Sequence, residues 1–181
     1  QSGEKIVHDP RLVWNTFDIV EQYQGIAVQS KSGHAFIKDV MREHNAVYGG
    51  EMSAHHYFRD FAYCDSGMIP WLLTIALVSE TGQSLSTLVE NMITKFPCSG
   101  EINFKVADTQ ATVQKIFDHY ADQNPLVDRT DGVSLDFGAW RLNVRASNTE
   151  PLLRLNIESR ADQNPQPMQH YVDELTGLIQ G

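Results

Sequence analysis

Residues 46–58 read AVYGGEMSAHHYF, a short apolar stretch that runs into two glycines and a polar segment. The apolar letters predict a buried strand, and the glycines permit close backbone approach or positive φ. Glu51 and Ser53 lie on one side if the segment is extended, because side chains alternate along a strand. A carboxylate and a hydroxyl so placed suit the vicinal hydroxyls of a sugar, and the imidazole of His55 is suited to proton transfer. A polar turn between two elements explains the same letters equally well.

Strands and helices alternate on both sides of this stretch. Strands are predicted at 5–8, 26–28 and 46–48, and helices at 11–23, 35–44, 68–79 and 85–96. This alternation implies crossover connections and a parallel sheet, in which ligands bind at the carboxyl ends of strands. Segment 49–58 follows the third strand and would lie at such an end. We therefore expect a mixed or parallel α/β domain over residues 1–97.

The pattern changes after the turn-forming residues 97–100, PCSG. Strands are predicted at 102–106, 132–137, 140–145 and 152–159, and helices at 109–120 and 168–179. The order β-α-β-β-β-α predicts a four-stranded, mainly antiparallel sheet backed by two helices, an α+β domain over residues 98–181. Trp14, Trp71 and Trp140 are expected to lie in the hydrophobic cores.

The composition excludes several classes of protein. A formal net charge of −9 argues against nucleic acid or an anionic membrane surface as the main partner. No apolar stretch reaches the ~20 residues of a membrane span. Cys64 and Cys98 are too few for a disulfide framework, and the spacing of the histidines and cysteines predicts no metal site. We expect a cytoplasmic protein with no nucleic-acid partner, no membrane partner and no metal ligands in this chain.

A second polar group, residues 145–151, reads RASNTEP and lies between two predicted strands. Its small polar residues offer hydroxyls, an amide and backbone N–H groups to an anion. Arg145 adds a planar fork that can meet two phosphate oxygens at once. An ordinary hairpin turn with solvated arginines explains the same letters.

A third group, residues 31–34, reads KSGH and lies between a strand end and a helix start. Helix N-termini attract anions, and His34 is able to donate a hydrogen bond to a substrate oxygen. The alternative is that Gly33 only turns the chain and His34 packs locally.

Together these segments resemble the α-D-phosphohexomutase family. Residues 50–55 resemble its sugar-binding loop, residues 145–149 its phosphate-binding loop, and residues 31–34 a third segment that faces the substrate. Met52 favours the branch that acts on mannose and glucose phosphates. The family has four domains, with a phosphoserine loop in the first and an Asp-rich magnesium loop in the second, and neither loop is found in this sequence. The chain thus resembles only the third domain, a mixed α/β unit, and the fourth, an α+β unit like that of the TATA-binding protein.

The resemblance implies that the parent protein is an isomerase of carbohydrate metabolism. It would interconvert mannose 6-phosphate and mannose 1-phosphate by phosphoryl transfer through a hexose 1,6-bisphosphate, which also serves as activator, and would require Mg²⁺ bound outside this chain. The phosphosugar is then the substrate, and the N-terminal domains of the same protein are the partners. This chain alone would have no turnover. Two alternatives stay open: a preference for glucose phosphate, and a non-catalytic phosphosugar-binding module.

The resemblance also implies roles for particular residues. The expected set is Glu51, Ser53, His34 and Arg11 for substrate binding, His55 as general acid or base, and Arg145, Ser147, Asn148 and Thr149 for the distal phosphate. Relatives can place a Lys near the start of the third domain, where this sequence has VHDPR at residues 7–11. Either Arg11 or His8 would take the part of that Lys.

Overall fold

Two separate sheets of five strands each organise the residues described by the computed structural model, which are 2–147, 151–164 and 166–181. The chain divides into two compact units, Gln1–Thr94 and Lys95–Gly181. The first sheet mixes parallel and antiparallel pairs and the second is antiparallel throughout. The predicted fold class, α/β followed by α+β, is therefore confirmed.

The first unit alternates strands and helices as predicted. In chain order its elements are β1 (Lys5–His8), α1 (Trp14–Gln22), β2 (Ile26–Gln29), α2 (His34–His44), β3 (Tyr48–Gly50), β4 (His56–Phe58), β5 (Cys64–Asp65), α3 (Met68–Thr81) and α4 (Leu85–Lys95). The sheet order is β2-β1-β3-β4-β5. β1 pairs in parallel with β2 and β3, whereas β4 and β5 add antiparallel pairs at one edge. Segment 49–58 is thus a loop only at residues 51–55, and its remainder belongs to β3 and β4.

The connections of β1 create a crevice at one edge of this sheet. The chain leaves β1 for β2 on one side, then passes back across β1 to β3 on the other side. At such a reversal the loops that follow the two strands diverge, and the carboxyl ends of the strands border an open space. The residues that follow β1 and β3 are therefore placed side by side.

The contact between β3 and α2 depends on a glycine. Gly49 is buried, and a Cβ atom at this position would lie 2.6 Å from Met41 Sδ and 2.8 Å from Ile37 Cγ2. Both of these side chains are fully buried in the small core of the first unit, together with Val7 and Tyr57. The glycine is needed for the close approach of the helix, and not for a turn of the backbone.

The second unit is built on one antiparallel sheet. In chain order its elements are β6 (Cys98–Phe104), α5 (Thr109–Tyr120), β7 (Leu126–Asp128), β8 (Val133–Asp136), β9 (Trp140–Ala146), β10 (Leu153–Ser159) and α6 (Met168–Gln180). The sheet order is β6-β10-β9-β8-β7. The predicted sheet of four strands is thus one strand short, because β7 has only three residues and no alternating pattern.

The core of the second unit lies between this sheet and its two helices. Leu142 and Val144 on β9 are fully buried, as are Leu155 on β10, Ile116 on α5 and Leu175 on α6. The period of two along the strands and the helical period on α5 and α6 bring these side chains to one layer. Asp108 caps α5 by accepting a hydrogen bond from the backbone N–H of Ala111 at 3.0 Å.

Helices α3 and α4 depart from the expected core. Trp14 and Trp140 are buried, with 2% and 8% of their surface exposed, but Trp71 on α3 exposes 55%. In the described part of the chain no residue of α3 or α4 is buried. The prediction that Trp71 lies in a core is wrong for this chain, because no other element packs around it.

Among the described residues, no single helix is both long and apolar enough to cross a bilayer. Helices α3 and α4, with a bend of 93° between them, have the length and composition of a membrane span only when taken together.

Replacing Gly49 by alanine tests the packing of β3 against α2. We expect Gly49→Ala to lower the free energy of unfolding by about 1–3 kcal/mol, the usual cost of overpacking a core. Gly67→Ala is the matched control, since a Cβ atom there meets nothing within 4 Å and its φ is −83°. Urea denaturation of both variants measures the difference, and equal stabilities would contradict the assignment.

Candidate functional site

The candidate site of the first unit lies where β1 and β3 end. A crevice of about 220 Å³ opens there. The residues that border it and matter for the site are His8, Asp9, Gly50, Glu51 and Met52. This is the switch point of the sheet, the position at which α/β proteins bind ligands.

The carboxylate of Asp9 connects the loop after β1 with the loop after β3. Asp9 Oδ2 accepts hydrogen bonds from Arg11 Nη2 at 2.6 Å and from the backbone N–H of Met52 at 2.8 Å. Its Oδ1 accepts from the backbone N–H of Arg11 at 3.0 Å. Arg11 Nη2 also lies 3.4 Å from Ser53 Oγ. Arg11 and Ser53, both predicted site residues, are therefore brought together.

The charge state of Asp9 follows from these contacts. Burial alone would raise the pKa of Asp9, but the hydrogen bonds and charge of Arg11, with the bond from Met52 N–H, outweigh burial and lower it. Asp9 is consequently ionised at neutral pH. The sequence analysis did not select Asp9 as a site residue, although it is the first carboxylate after β1.

Glu51 is held by two donors from different segments. Its Oε1 accepts from the hydroxyl of Tyr57 at 2.7 Å and its Oε2 accepts from the backbone N–H of Gly33 at 2.8 Å. Burial, with the nearby Glu51, raises the pKa of Tyr57, so this hydroxyl stays protonated and donates. The Gly33 contact joins segment 31–34 to the 51–55 loop. His34, the exposed first residue of α2, is thus placed beside the loop that carries Glu51 and Ser53.

His55 is paired with the carboxylate of Asp65. Asp65 Oδ2 lies 2.7 Å from His55 Nδ1, and its Oδ1 accepts from the backbone N–H of His56 at 2.9 Å. Burial would raise the pKa of Asp65, but the bonds from His56 and His55 outweigh it and lower the pKa. An ionised carboxylate at Nδ1 keeps the proton there and leaves Nε2 as the acceptor nitrogen of a neutral ring.

Asp65 belongs to β5 and its carboxylate is directed to the two histidines, so it does not cap α3. The hydroxyl of Ser66 instead accepts a hydrogen bond from the backbone N–H of Ile69 at 3.2 Å, at the start of α3.

His56 differs from its neighbour in environment. Its Nδ1 lies 2.6 Å from the hydroxyl of Tyr48, and burial lowers the pKa of His56. Burial also raises the pKa of Tyr48 to about 12. His55 thus contacts the Asp65 carboxylate through its ring, and His56 contacts it through its backbone N–H.

Of the two residues left open for the role of the family's Lys, Arg11 reaches the 51–55 loop. The ring of His8 instead packs edge-on against Phe17, with 5.2 Å between centroids, and its Nδ1 lies 2.8 Å from the carbonyl oxygen of Asp9. The described contacts therefore favour Arg11, and not His8, as the residue that takes the part of the Lys.

The predicted phosphate-binding residues lie in the second unit, at the end of β9. Arg145 Nη2 lies 3.6 Å from Glu101 Oε2, and Arg154 Nη1 lies 3.5 Å from Glu101 Oε1. Two guanidinium groups share one carboxylate, which leaves a local charge of about +1 from these three groups. The backbone N–H of Ser147 donates to Leu152 at 2.8 Å and closes the base of the loop. Asn148 and Thr149 lie outside the described residues.

Two further features of this unit bear on Arg145. Arg141 lies four residues before Arg145 on β9, on the same face of the sheet. Its Nη1 pairs with Glu158 Oε1 on β10 at 2.7 Å. Gly132 has a φ of +72° and lies against the backbone of Val144 and Arg145, where a Cβ atom would clash. A glycine at residue 132 thus allows the preceding loop to lie directly against the strand that carries Arg145.

Among the described residues, no three His, Cys, Asp or Glu side chains are grouped so as to hold a metal ion.

The comparisons with known proteins agree with this arrangement. Residues 1–96 match the family model described as phosphoglucomutase/phosphomannomutase, alpha/beta/alpha domain III. Residues 101–175 match the model for the C-terminal domain of the same family. The chain belongs to the phosphoglucomutase/phosphomannomutase family. The resemblance to α-D-phosphohexomutases is confirmed by these matches.

Close relatives are bacterial enzymes of this family. The chain is 61% identical over 181 residues to a protein of Xanthomonas campestris pv. campestris named phosphohexose mutases, covering all of this chain and 40% of the relative. It is 56% identical over 180 residues to a phosphomannomutase of Vibrio cholerae, covering 99% of this chain and 38% of the relative. The chain thus spans about two fifths of the length of these relatives.

Solved structures of the family share the fold. A phosphoglucomutase/phosphomannomutase family protein of Burkholderia thailandensis matches 99% of this chain and 38% of its own, with a TM-score of 0.75 and 21% identity. N-acetylphosphoglucosamine mutase of Aspergillus fumigatus, solved with GlcNAc-6P and magnesium, matches 97% of this chain and 38% of its own, with a TM-score of 0.59 and 11% identity. At these identities the likeness concerns the fold alone.

The charge of Asp9 gives a pH-dependent prediction. We expect Asp9→Asn to lower the free energy of unfolding by on the order of 3 kcal/mol at pH 7, because Arg11 loses its buried counterion. A lowered pKa stabilises the fold above the unfolded value, 3.8, and that stabilisation is lost as pH falls through the folded value. The difference from the unchanged chain should therefore shrink between pH 5 and pH 3, as measured by urea denaturation.

The control is Asp39→Asn, which removes the carboxylate of an exposed ion pair with Arg42. This variant should change stability by less than about 1 kcal/mol at any of these pH values. A difference between Asp9→Asn and the unchanged chain that stayed constant with pH would contradict an ionised Asp9.

Proposed function

We propose that the parent protein interconverts mannose 6-phosphate and mannose 1-phosphate by phosphoryl transfer through a hexose 1,6-bisphosphate. This chain would contribute a sugar-binding domain, residues 1–97, and a phosphate-binding domain, residues 98–181. The observation that carries the proposal is that Arg11 contacts Ser53 in the loop whose Glu51 borders the crevice, in a chain 56% identical to a phosphomannomutase. The cytoplasm is the expected compartment.

The sugar hydroxyls are the natural ligands of Glu51 and Ser53. Phosphoryl transfer at both ends of the hexose requires that the sugar bind in two orientations, so contacts to the hydroxyls between the ends serve both. Each carboxylate oxygen of Glu51 accepts one hydrogen bond from the protein and retains a lone pair for a hydroxyl. Because Tyr57 and Gly33 fix Glu51 before the sugar arrives, little orientational freedom is lost on binding.

His55 would move the proton of the reacting hydroxyl. Its contact with Asp65 favours the tautomer in which Nε2 accepts a proton, and the negative charge of Asp65 stabilises the imidazolium that results. In the reverse direction the same imidazolium returns the proton. His55 thus acts as general base in one direction and general acid in the other.

The distal phosphate would bind to Arg145, Ser147, Asn148 and Thr149. Charge-assisted hydrogen bonds contribute on the order of 1.5–3 kcal/mol each, so a guanidinium and a set of small polar groups supply much of the affinity. Arg11 and His34, both in the first unit, would contact the remaining part of the phosphosugar. Binding energy from parts of the substrate that do not react positions the part that does.

Magnesium and the bisphosphate activator belong to the parent protein in this proposal. As the family resemblance implies, we assign Mg²⁺ and the phosphoserine to parts of the parent outside this chain. The magnesium of the Aspergillus structure supports the requirement for the metal. When bound, the metal would neutralise the charge that develops on the transferring phosphoryl group.

A turnover assay tests the division of the site. With mannose 1-phosphate, glucose 1,6-bisphosphate and Mg²⁺, we expect the full-length parent to form mannose 6-phosphate and the isolated chain to form none. The reason is that the groups that donate the phosphoryl group lie outside this chain. Measurable turnover by the isolated chain would refute that division, and a parent that binds without turnover would favour the non-catalytic module.

Arg145→Ala in the full-length parent tests the phosphate site. We expect the Michaelis constant for mannose 1-phosphate to rise by about one to two orders of magnitude, from the loss of a charge-assisted pair. The control is Arg42→Ala, which removes an exposed arginine of α2 and should leave the kinetics unchanged. An unchanged constant for Arg145→Ala would remove this residue from the site. The same assay with glucose 1-phosphate decides between the two sugars.

A further inference from the structure

Helix α4 exposes most of its apolar side. Leu85, Val89, Met92 and Ile93 follow the spacing of one helical stripe and expose between 43% and 52% of their surface. Ser86, Thr87, Glu90 and Asn91 occupy the other side of the helix. A stripe of this kind is the face that a helix normally buries against a core.

Helix α3 is apolar on every side and is equally uncovered. Trp71, Leu72, Leu73 and Leu77 point in different directions around the axis, and each exposes between 48% and 57% of its surface. Helices that are apolar all round occur in protein interiors or in membranes. The α3–α4 surface, defined as residues 68–95, therefore has the composition of a core and the exposure of a surface.

The core of the first unit is also small for its length. Among the described residues, five buried apolar side chains form the core cluster of a unit of 94 residues. Fourteen such side chains form the cluster of the second unit, Lys95–Gly181. The apolar residues that the first unit would need for a comparable core are present on α3 and α4, but none of them is buried among the described residues.

We propose that the α3–α4 surface is a docking site for polypeptide of the parent protein that lies outside this chain. The chain spans 40% of the Xanthomonas relative, so about 60% of a full-length relative is available to provide that polypeptide. The docking polypeptide has an apolar surface, and its helices or strands enclose α3 on more than one side. This inference rests on family membership and exposure, and does not depend on the proposed reaction.

Two other occupants fit the surface less well. A second copy of the chain would cover one side of the helix pair, whereas α3 has apolar residues on all sides. A lipid surface attracts helices with basic residues along the polar side. Residues 68–95 carry Glu80, Glu90 and Lys95 as their charged side chains, a net charge of −1.

Hydrogen exchange of the backbone amides tests the proposal. The isolated chain and the full-length parent are compared at the same protein concentration, and the amides of α3 and α4 are followed by mass spectrometry. We expect exchange in this region to be at least about tenfold slower in the parent, because the helices can open less freely when covered. The amides of α5, in the second unit, serve as an internal reference for folding.

Matched variants of the parent identify the surface. Leu73→Asp and, separately, Ile93→Asp should restore fast exchange in α3 and α4 by about tenfold or more, because burying a charge opposes docking. Leu126→Asp is the control, since Leu126 exposes 78% of its surface in the second unit, and it should leave exchange unchanged. Glu51→Gln should also leave exchange unchanged, and mutase activity that this variant retained in full would count only against the proposed function.

Three results would overturn the proposal. The first is equally fast exchange of α3 and α4 in the parent and in the isolated chain. The second is protection in the isolated chain that rises with its concentration, which would identify a second copy as the occupant. The third is protection of either protein only in the presence of phosphatidylcholine vesicles, which would identify a lipid surface.

Discussion

The ionised carboxylate of Asp9 is the group on which the site of the first unit depends. A buried charge is tolerated only when it is paired and hydrogen-bonded, and Asp9 obtains its partners from two loops that are distant in sequence. One partner is Arg11, two residues further along the chain, and the other is the backbone N–H of Met52. The requirement to satisfy one carboxylate thus brings a guanidinium to the loop that carries Glu51 and Ser53.

The same principle extends to the other carboxylates of the unit. Glu51 receives Tyr57 from its own hairpin and Gly33 from the start of α2, while Asp65 receives two donors from His55 and His56. Each of these carboxylates accepts two hydrogen bonds or contacts that tie its loop to neighbouring residues. In a unit with few buried apolar side chains, polar contacts therefore determine how the loops at the crevice are arranged.

The sequence allowed the main elements to be predicted, but not the contacts between them. Alternating apolar patterns identified β1, β2, β3 and the helices, whereas β4, β5 and β7 have two or three residues and no period to detect. Glu51 and Ser53 were selected from a local motif and Arg11 from the family resemblance, but Asp9 and Asp65 act on residues 43 and 10 positions away. Trp71 was placed in a core because its residue type favours burial, and residue type cannot say whether the covering element belongs to the same chain.

The bond between Tyr57 and Glu51 fixes the length of the turn that separates them. Glu51 and Tyr57 flank residues 52–56, and the turn is also closed by the backbone N–H of Glu51, which donates to His55 at 3.0 Å. An inserted or deleted residue would shift the alternation of β4 by one position and direct the Tyr57 hydroxyl to the opposite face of the sheet. The turn can therefore accept a different side chain at residue 52, but not a different length, without loss of the bond between Tyr57 and Glu51.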